Sequence, residues 1–91
     1  MTTAELHDVR LKRLRMRASR RGTKEMDLIL MRFVDAALPS MPAEELDRFE
    51  RLLDENDQDL YAWVAGQQSP APAHADLIRR IQDVLPKVGQ N

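Results

Sequence analysis

Apolar side chains recur along this chain at spacings of three and four residues, and prolines and glycines cut the runs at short intervals. That spacing stacks apolar groups on one face of a helix, whereas a half-buried strand needs strict alternation. β-branched residues never alternate with polar ones over the length of a strand, and no hairpin signal is present. The pattern predicts an all-α fold, a compact bundle of about five short helices.

A first helix is predicted from about Ala4 to Arg20, with Thr2 or Thr3 as its cap and Leu6, Leu11, Leu14 and Ala18 as its apolar stripe. Arg17, Arg20 and Arg21 fall in its last turn, where cations complement the carbonyl end of the macrodipole, and Gly22 stops it by accepting a positive φ. Thr23 is placed to cap a second helix, with Glu25 and Asp27 in its first turn. Met26, Ile29, Leu30 and Phe33 form its stripe, Leu28 and Met31 broaden it, and Pro39 ends it. This helix is therefore expected to be central.

A third helix starts near Ser40-Met41-Pro42 with Leu46, Phe49, Leu52 and Leu53 inward. Asn56 or Asp57 caps a short fourth helix carrying Leu60, Trp63 and Val64, which Gly66 stops. Ser69-Pro70-Ala71-Pro72 reads as a stiff, extended connector. The last helix follows from about His74, with Leu77, Ile78, Ile81, Val84 and Leu85 on one side and Pro86 as its end. At 91 residues this is one domain, 1–91, with its core in about 5–85 and a frayed tail at 86–91.

Several function classes drop out on composition. Without cysteine there are no disulfides, thiolate metal sites or cysteine nucleophiles. No apolar run is long enough for a membrane span, so no membrane insertion is expected. The arginine-rich start carries Glu5 and Asp8 and reads as part of the fold rather than as a targeting segment, which suggests a bacterial, cytoplasmic protein. A net charge of −1 conceals an asymmetry: residues 1–24 carry +6 and residues 25–59 carry −8. Such polarity either steers a partner or pairs the two stretches within the fold.

No catalytic constellation emerges. His7 and His74 belong to no ligand spacing and read as solvated surface histidines. Gly22, Gly66 and Gly89 build no phosphate cradle, so no FAD or nucleotide is expected to bind stably. The acidic run Asp54–Asp59 has Asp59 where a calcium loop needs glycine, and no metal site is expected. Arg10, Lys12, Arg13, Arg15, Arg17, Arg20, Arg21 and Lys24 invite a nucleic-acid reading, but the acidic block opposes it and no aromatic stands among them to stack on a base.

The segment Arg21-Gly22-Thr23-Lys24-Glu25 fits the RGxxE motif of the succinate dehydrogenase assembly factor family, whose bacterial members are called SdhE and were formerly named as the antitoxin CptB. Arg20 before it and Met26-Asp27 after it resemble the family's RRGxxELD stretch, with methionine for the usual leucine. Phe49-Glu50-Arg51-Leu52-Leu53 and Asp57-Gln58-Asp59-Leu60-Tyr61-Ala62-Trp63 resemble a second signature, F-x-x-LL followed by D-x-D-L-x-x-W. The resemblance covers roughly residues 10–85. It implies a five-helix bundle that acts as a monomeric binding protein rather than an enzyme. The implied partner is the flavoprotein subunit of succinate dehydrogenase, with that of fumarate reductase as a further target. The FAD belongs to that partner, and the factor promotes its covalent attachment. Arg20, Arg21, Gly22, Glu25 and Asp27 are the implied partner-binding residues. Arg21 suits a bidentate contact with a partner carboxylate or carbonyls, and Glu25 either pairs with a partner cation or locks Arg21 across the turn. On this reading, loss of Arg21 or Glu25 weakens function and leaves the fold intact. Alternative readings are an antitoxin-type regulator of a toxin or cytoskeletal partner, and a basic-helix nucleic-acid module.

Overall fold

The three-and-four spacing becomes five helices. The computed structural model describes residues 3–85, in which α1 spans Thr3–Ala18, α2 Lys24–Ala37, α3 Ala43–Leu53, α4 Asp57–Val64 and α5 Ala75–Val84. Short 3-10 turns at Leu38–Ser40 and Pro72–His74 follow α2 and precede α5, and no strand occurs among the described residues. Thr2, Pro86 and the tail to Asn91 lie outside them. Thr3 already belongs to α1.

Helix α2 is central, as its broad stripe predicts: α1, α4 and α5 all pack on it. Met26, Leu30, Phe33 and Val34 are buried from α2, against Leu14 and Ala18 of α1 and Leu46, Phe49, Leu52 and Leu53 of α3. Leu60, Trp63 and Val64 of α4, Leu77, Ile78 and Ile81 of α5, and Leu38 and Met41 between α2 and α3 complete the core. Each large side chain so buried contributes about 1.5–3 kcal/mol from desolvation. Phe33 and Phe49 lie at the centre with ring centroids 5.6 Å apart, and the Arg80 guanidinium sits 5.9 Å over the Phe33 ring. Two stripe assignments fail. Leu6 is 56% exposed and Leu28 63% exposed, because α1 and α2 are covered on one side only at those positions.

Helix ends follow local chemistry where the chain supplies it locally. The Asn56 side chain accepts from the Asp59 amide at 2.8 Å and caps α4. Gly66, with φ of +79°, closes α4: the Gln67 amide returns to the Ala62 carbonyl at 2.8 Å and the Gly66 amide to that of Trp63 at 3.2 Å. Gln82 of α5 then donates to the Trp63 and Val64 carbonyls at 3.1 and 3.2 Å. Helix α1 departs from expectation by stopping at Ala18 rather than Arg20. The Ser19 amide bonds the Arg15 and Met16 carbonyls, the Ser19 hydroxyl also donates to Met16, and the Arg20 amide bonds Arg17, so the last turn tightens and ends.

The basic and acidic stretches meet inside the molecule. Arg10 reaches Asp47 at 2.5 Å and Glu50 at 2.9 Å, Arg13 reaches Glu50 at 2.8 Å, and Arg17 reaches Asp54 at 2.8 Å, all between α1 and the α3 side. On its other flank α1 joins α2 through Arg15 and Asp35 at 2.5 Å. The Arg13 guanidinium, with Arg10 beside it, holds the Glu50 carboxyl below the usual carboxylate range although partial burial opposes this. A depressed native value means that the unfolded chain binds more protons in acid. This contribution is full above the unfolded carboxylate range, near pH 4–5, and is lost as pH falls through the lower native value. Urea unfolding of Glu50→Gln is therefore expected to show less stability than wild type at neutral pH and a flatter decline in acid. Identical acid limbs would detach Glu50 from the pH dependence.

His74 corrects another expectation. It is 7% exposed, not solvated, because the 3-10 turn seats its ring 5.8 Å from the Trp63 ring, and its Nε2 lies 3.0 Å from a Glu55 carboxylate oxygen. The predicted extended connector thus ends in a turn that closes against α4. His7 is half-buried on α1.

Candidate functional site

Between α1 and α2 the chain must turn within Ser19–Thr23. Gly22 makes the turn with φ of +95°, a backbone region that side chains with a Cβ rarely adopt. Thr23 stands at the cap position of α2 as predicted, but its hydroxyl makes no cap bond and has no partner among the described residues. The carboxylate of Asp27 instead accepts from the Arg21 amide at 2.9 Å, while the Asp27 amide bonds the Thr23 carbonyl at 3.0 Å. Asp27 therefore ties the loop to the first turn of α2.

The Arg21 side chain leaves this loop and enters the corner between α3 and α4, where it is 11% exposed. Its Nε meets the Asp57 carboxylate at 2.6 Å. Its two terminal nitrogens donate to the backbone carbonyls of Leu53 and Glu55. Those carbonyls lie at and just past the C-terminus of α3, where oxygens lack helical partners and the macrodipole is negative. One guanidinium thus caps α3, neutralises the first residue of α4 and fastens the loop to both. Only arginine's planar array of donors fits this set. The sequence-derived roles change accordingly. Arg21 is bound within the chain rather than presented as a free fork, and its lock is Asp57, not Glu25.

What stays outside is the rest of the motif. Arg20, Gly22, Lys24 and Glu25 are exposed around the loop, and Leu28, one turn beyond Glu25, exposes 63% of its surface. Beside them a shallow depression of about 350 Å³ is lined by Thr23, Glu25, Met26, Asp57, Gln58 and Tyr61. Tyr61 is 42% exposed, alone among the four aromatics in being outside the core. The structure thus brings Arg20, Arg21 and Gly22 of the loop together with Glu25 and Asp27 of the first turn of α2, and adds Asp57, Gln58, Tyr61 and Leu28 to their surroundings. The sequence offers Asp57 as an alternative cap for α4, a place that Asn56 takes; its position in the second signature was the available signal that it belongs with Arg21. Both signatures form one structure, joined by the Arg21–Asp57 pair across 36 residues.

Chemically the site offers an exposed loop and helix start with the Glu25 carboxylate and the Arg20 guanidinium in no ion pair among the described residues, two exposed apolar side chains and a shallow depression. No group of three or more metal-type side chains is assembled among the described residues. No described helix is long and apolar enough to cross a membrane. Arg10, Arg13, Arg15, Arg17 and Arg21 are engaged by acids of the same chain, which removes most of the charge that a phosphate backbone would need.

Fold and site together define a small all-helical domain whose α1–α2 loop is fastened to the corner between α3 and α4. The sequence model of the family described as "Flavinator of succinate dehydrogenase" matches residues 12–85, and the chain belongs to this family. It is 40% identical over 70 residues to the FAD assembly factor SdhE of Pseudomonas aeruginosa, covering 77% of this chain and 81% of that one. It is 41% identical over 70 residues to the mitochondrial succinate dehydrogenase assembly factor 2 of Mycosarcoma maydis, covering 77% of this chain and 29% of that protein. The corresponding factor of Lodderomyces elongisporus is also 41% identical over 70 residues, with 43% of its length covered. The chain thus spans less than half the length of these fungal relatives, and most of the bacterial one.

Proposed function

We propose that this protein is an assembly factor that binds the flavoprotein subunit of succinate dehydrogenase and promotes covalent attachment of FAD to it. The observation that carries this reading is the clamped loop. Arg21 and Asp27 hold Gly22 and Glu25 in a fixed exposed geometry, and family membership supplies the class of partner. Holding the loop rigid before binding lowers the ordering cost of association. The role is binding rather than catalysis: the factor stabilises the partner conformation in which its flavin-linking histidine and the FAD meet, and the FAD remains with the partner. Arg20, Gly22 and Glu25 touch the partner directly, whereas Arg21 and Asp27 act by shaping the loop. The flavoprotein subunit of fumarate reductase is a second target of the same surface, and the factor acts as a monomer.

In-gel flavin fluorescence tests the reading. The cognate flavoprotein subunit is expressed with and without this protein, then denatured. Covalent flavin that depends on the factor is the expected result. Equal fluorescence in both samples would remove the flavinylation role.

A further inference from the structure

The connector between α3 and α4 is only residues 54–56, and Glu55 at its middle is held in three directions. Its amide donates to the Leu52 carbonyl at 3.0 Å. Its own carbonyl accepts from the Arg21 guanidinium, and no backbone amide among the described residues competes for it. Its carboxylate lies 3.0 Å from Nε2 of the buried His74, in the turn before α5. An ionised carboxylate has no proton to give, so Nε2 is the donor. The other ring nitrogen, Nδ1, is buried without a partner among the described residues. The tautomer with its proton on Nε2 suits both nitrogens, because it leaves no buried N–H without an acceptor. The Trp63 ring packs beside the imidazole and holds it toward Glu55.

We infer that His74 is a positioning residue of the candidate site: by gripping the Glu55 carboxylate it aims the carbonyl to which Arg21 is bound, and so sets the α1–α2 loop from the α5 side of the fold. The bonds to Leu52 and His74 fix Glu55 through its amide and its side chain. Asn56, as the cap of α4, fixes the residue that follows. The peptide between Glu55 and Asn56 is planar, so holding the residues at both its ends aims its carbonyl. Arg21 needs that aim. Its donors diverge to Leu53, Glu55 and Asp57, and a guanidinium binds such a set well only where the acceptors already hold the matching geometry. His74 belongs to neither signature, yet it reaches the loop through Glu55 and Arg21 in turn. Its service to the flavoprotein subunit rests on the proposed function; its hold on the loop does not.

Heteronuclear NMR of the Arg21 Nε–H group and the Gly22 amide tests this in wild type, His74→Ala, His74→Gln and Glu55→Ala. Neither reporter bonds His74, so lost packing beside Trp63 does not by itself move them. His74→Ala and Glu55→Ala are expected to shift both signals and to speed solvent exchange of the Arg21 Nε–H by about tenfold, the low end of what one hydrogen bond to a charged group is worth. His74→Gln is expected to restore the wild-type signals, because its amide offers an N–H near the place of Nε2. In urea unfolding, the midpoint loss of His74→Ala combined with Arg21→Ala should be smaller than the sum of the single losses. Unmoved Arg21 and Gly22 signals in Glu55→Ala overturn the inference, even where His74→Ala loses too much packing to fold. A glutamine variant that behaves like the alanine one, or strictly additive losses, reduces His74 to packing against Trp63 and overturns it as well. Covalent flavin on the cognate flavoprotein subunit should fall with His74→Ala and recover with His74→Gln. The NMR comparison uses this protein alone, so its failure is distinct from failure of the proposed function, which wild-type flavinylation decides.

Discussion

Arg21→Ala is expected to destabilise the whole domain, lowering Tm by about 10–20 °C, although the residue lies in a loop outside the hydrophobic core. The substitution removes one ion pair and two charge-assisted hydrogen bonds to carbonyls at a helix terminus. Hydrogen bonds to charged groups contribute about 1.5–3 kcal/mol each, with discount for the exposed part of the Asp57 carboxylate. The Asp57 side chain, 23% exposed, then faces the α3 carbonyls with no cation between them. A total near 3 kcal/mol follows, against about 5–14 kcal/mol for an entire domain of this length. Arg21→Lys should recover less than half of the loss, because one ammonium cannot reach an Nε partner and two divergent carbonyls together. Thermal unfolding by circular dichroism measures both variants. A Tm within a few degrees of wild type for Arg21→Ala would show that the guanidinium is dispensable to the fold and return it to the partner-facing role that its chemistry alone suggests.

That reversal shows where the sequence is readable and where it is not. Helices α2 to α5 were legible because each is defined by apolar spacing and punctuation within its own span: Pro39 after α2, Pro42 before α3, Asn56 before α4 and Gly66 after it. The end of α1 was placed two residues late because an arginine run looks like a helix terminus, and nothing local says that Arg21 has partners 32 to 36 residues away. His74 was misplaced for the same reason. Its burial depends on Trp63 and Glu55, which only the folded chain brings to it. Thr23 marks the cap position, but a carboxylate one helical turn further on, that of Asp27, accepts from the loop amide of Arg21. Leu6 and Leu28 obey helical spacing and are still exposed, since periodicity identifies a face and not whether anything covers it. The residues of the candidate site were legible as a group through the two signatures, and the structure places them side by side. Their division into those that build the loop and those it presents required coordinates.

Gly22 separates those two roles by experiment. A side chain at φ of +95° is strained whatever space surrounds it, at a cost of about 1–3 kcal/mol, so any substitution here lowers Tm. A Cβ built at this position meets nothing within 4 Å, so the fold has room for a larger group, which would project away from the packed chain. Strain and bulk therefore act on different quantities. Gly22→Ala and Gly22→Arg should share nearly the same loss of stability and remain folded at moderate temperature. They should differ in partner engagement. Alanine adds one methyl group to the exposed loop, while arginine fills the volume that a closely seated partner backbone needs. Covalent flavin on the cognate flavoprotein subunit is expected to persist in part with Gly22→Ala and to fall to the factor-free level with Gly22→Arg. If both variants lose flavinylation in proportion to their loss of Tm, the glycine serves the turn alone and the partner does not approach it. If the arginine variant retains wild-type flavinylation at its lower Tm, the contact surface lies elsewhere on the molecule, and the exposed faces of α1 and α4 become the places to look.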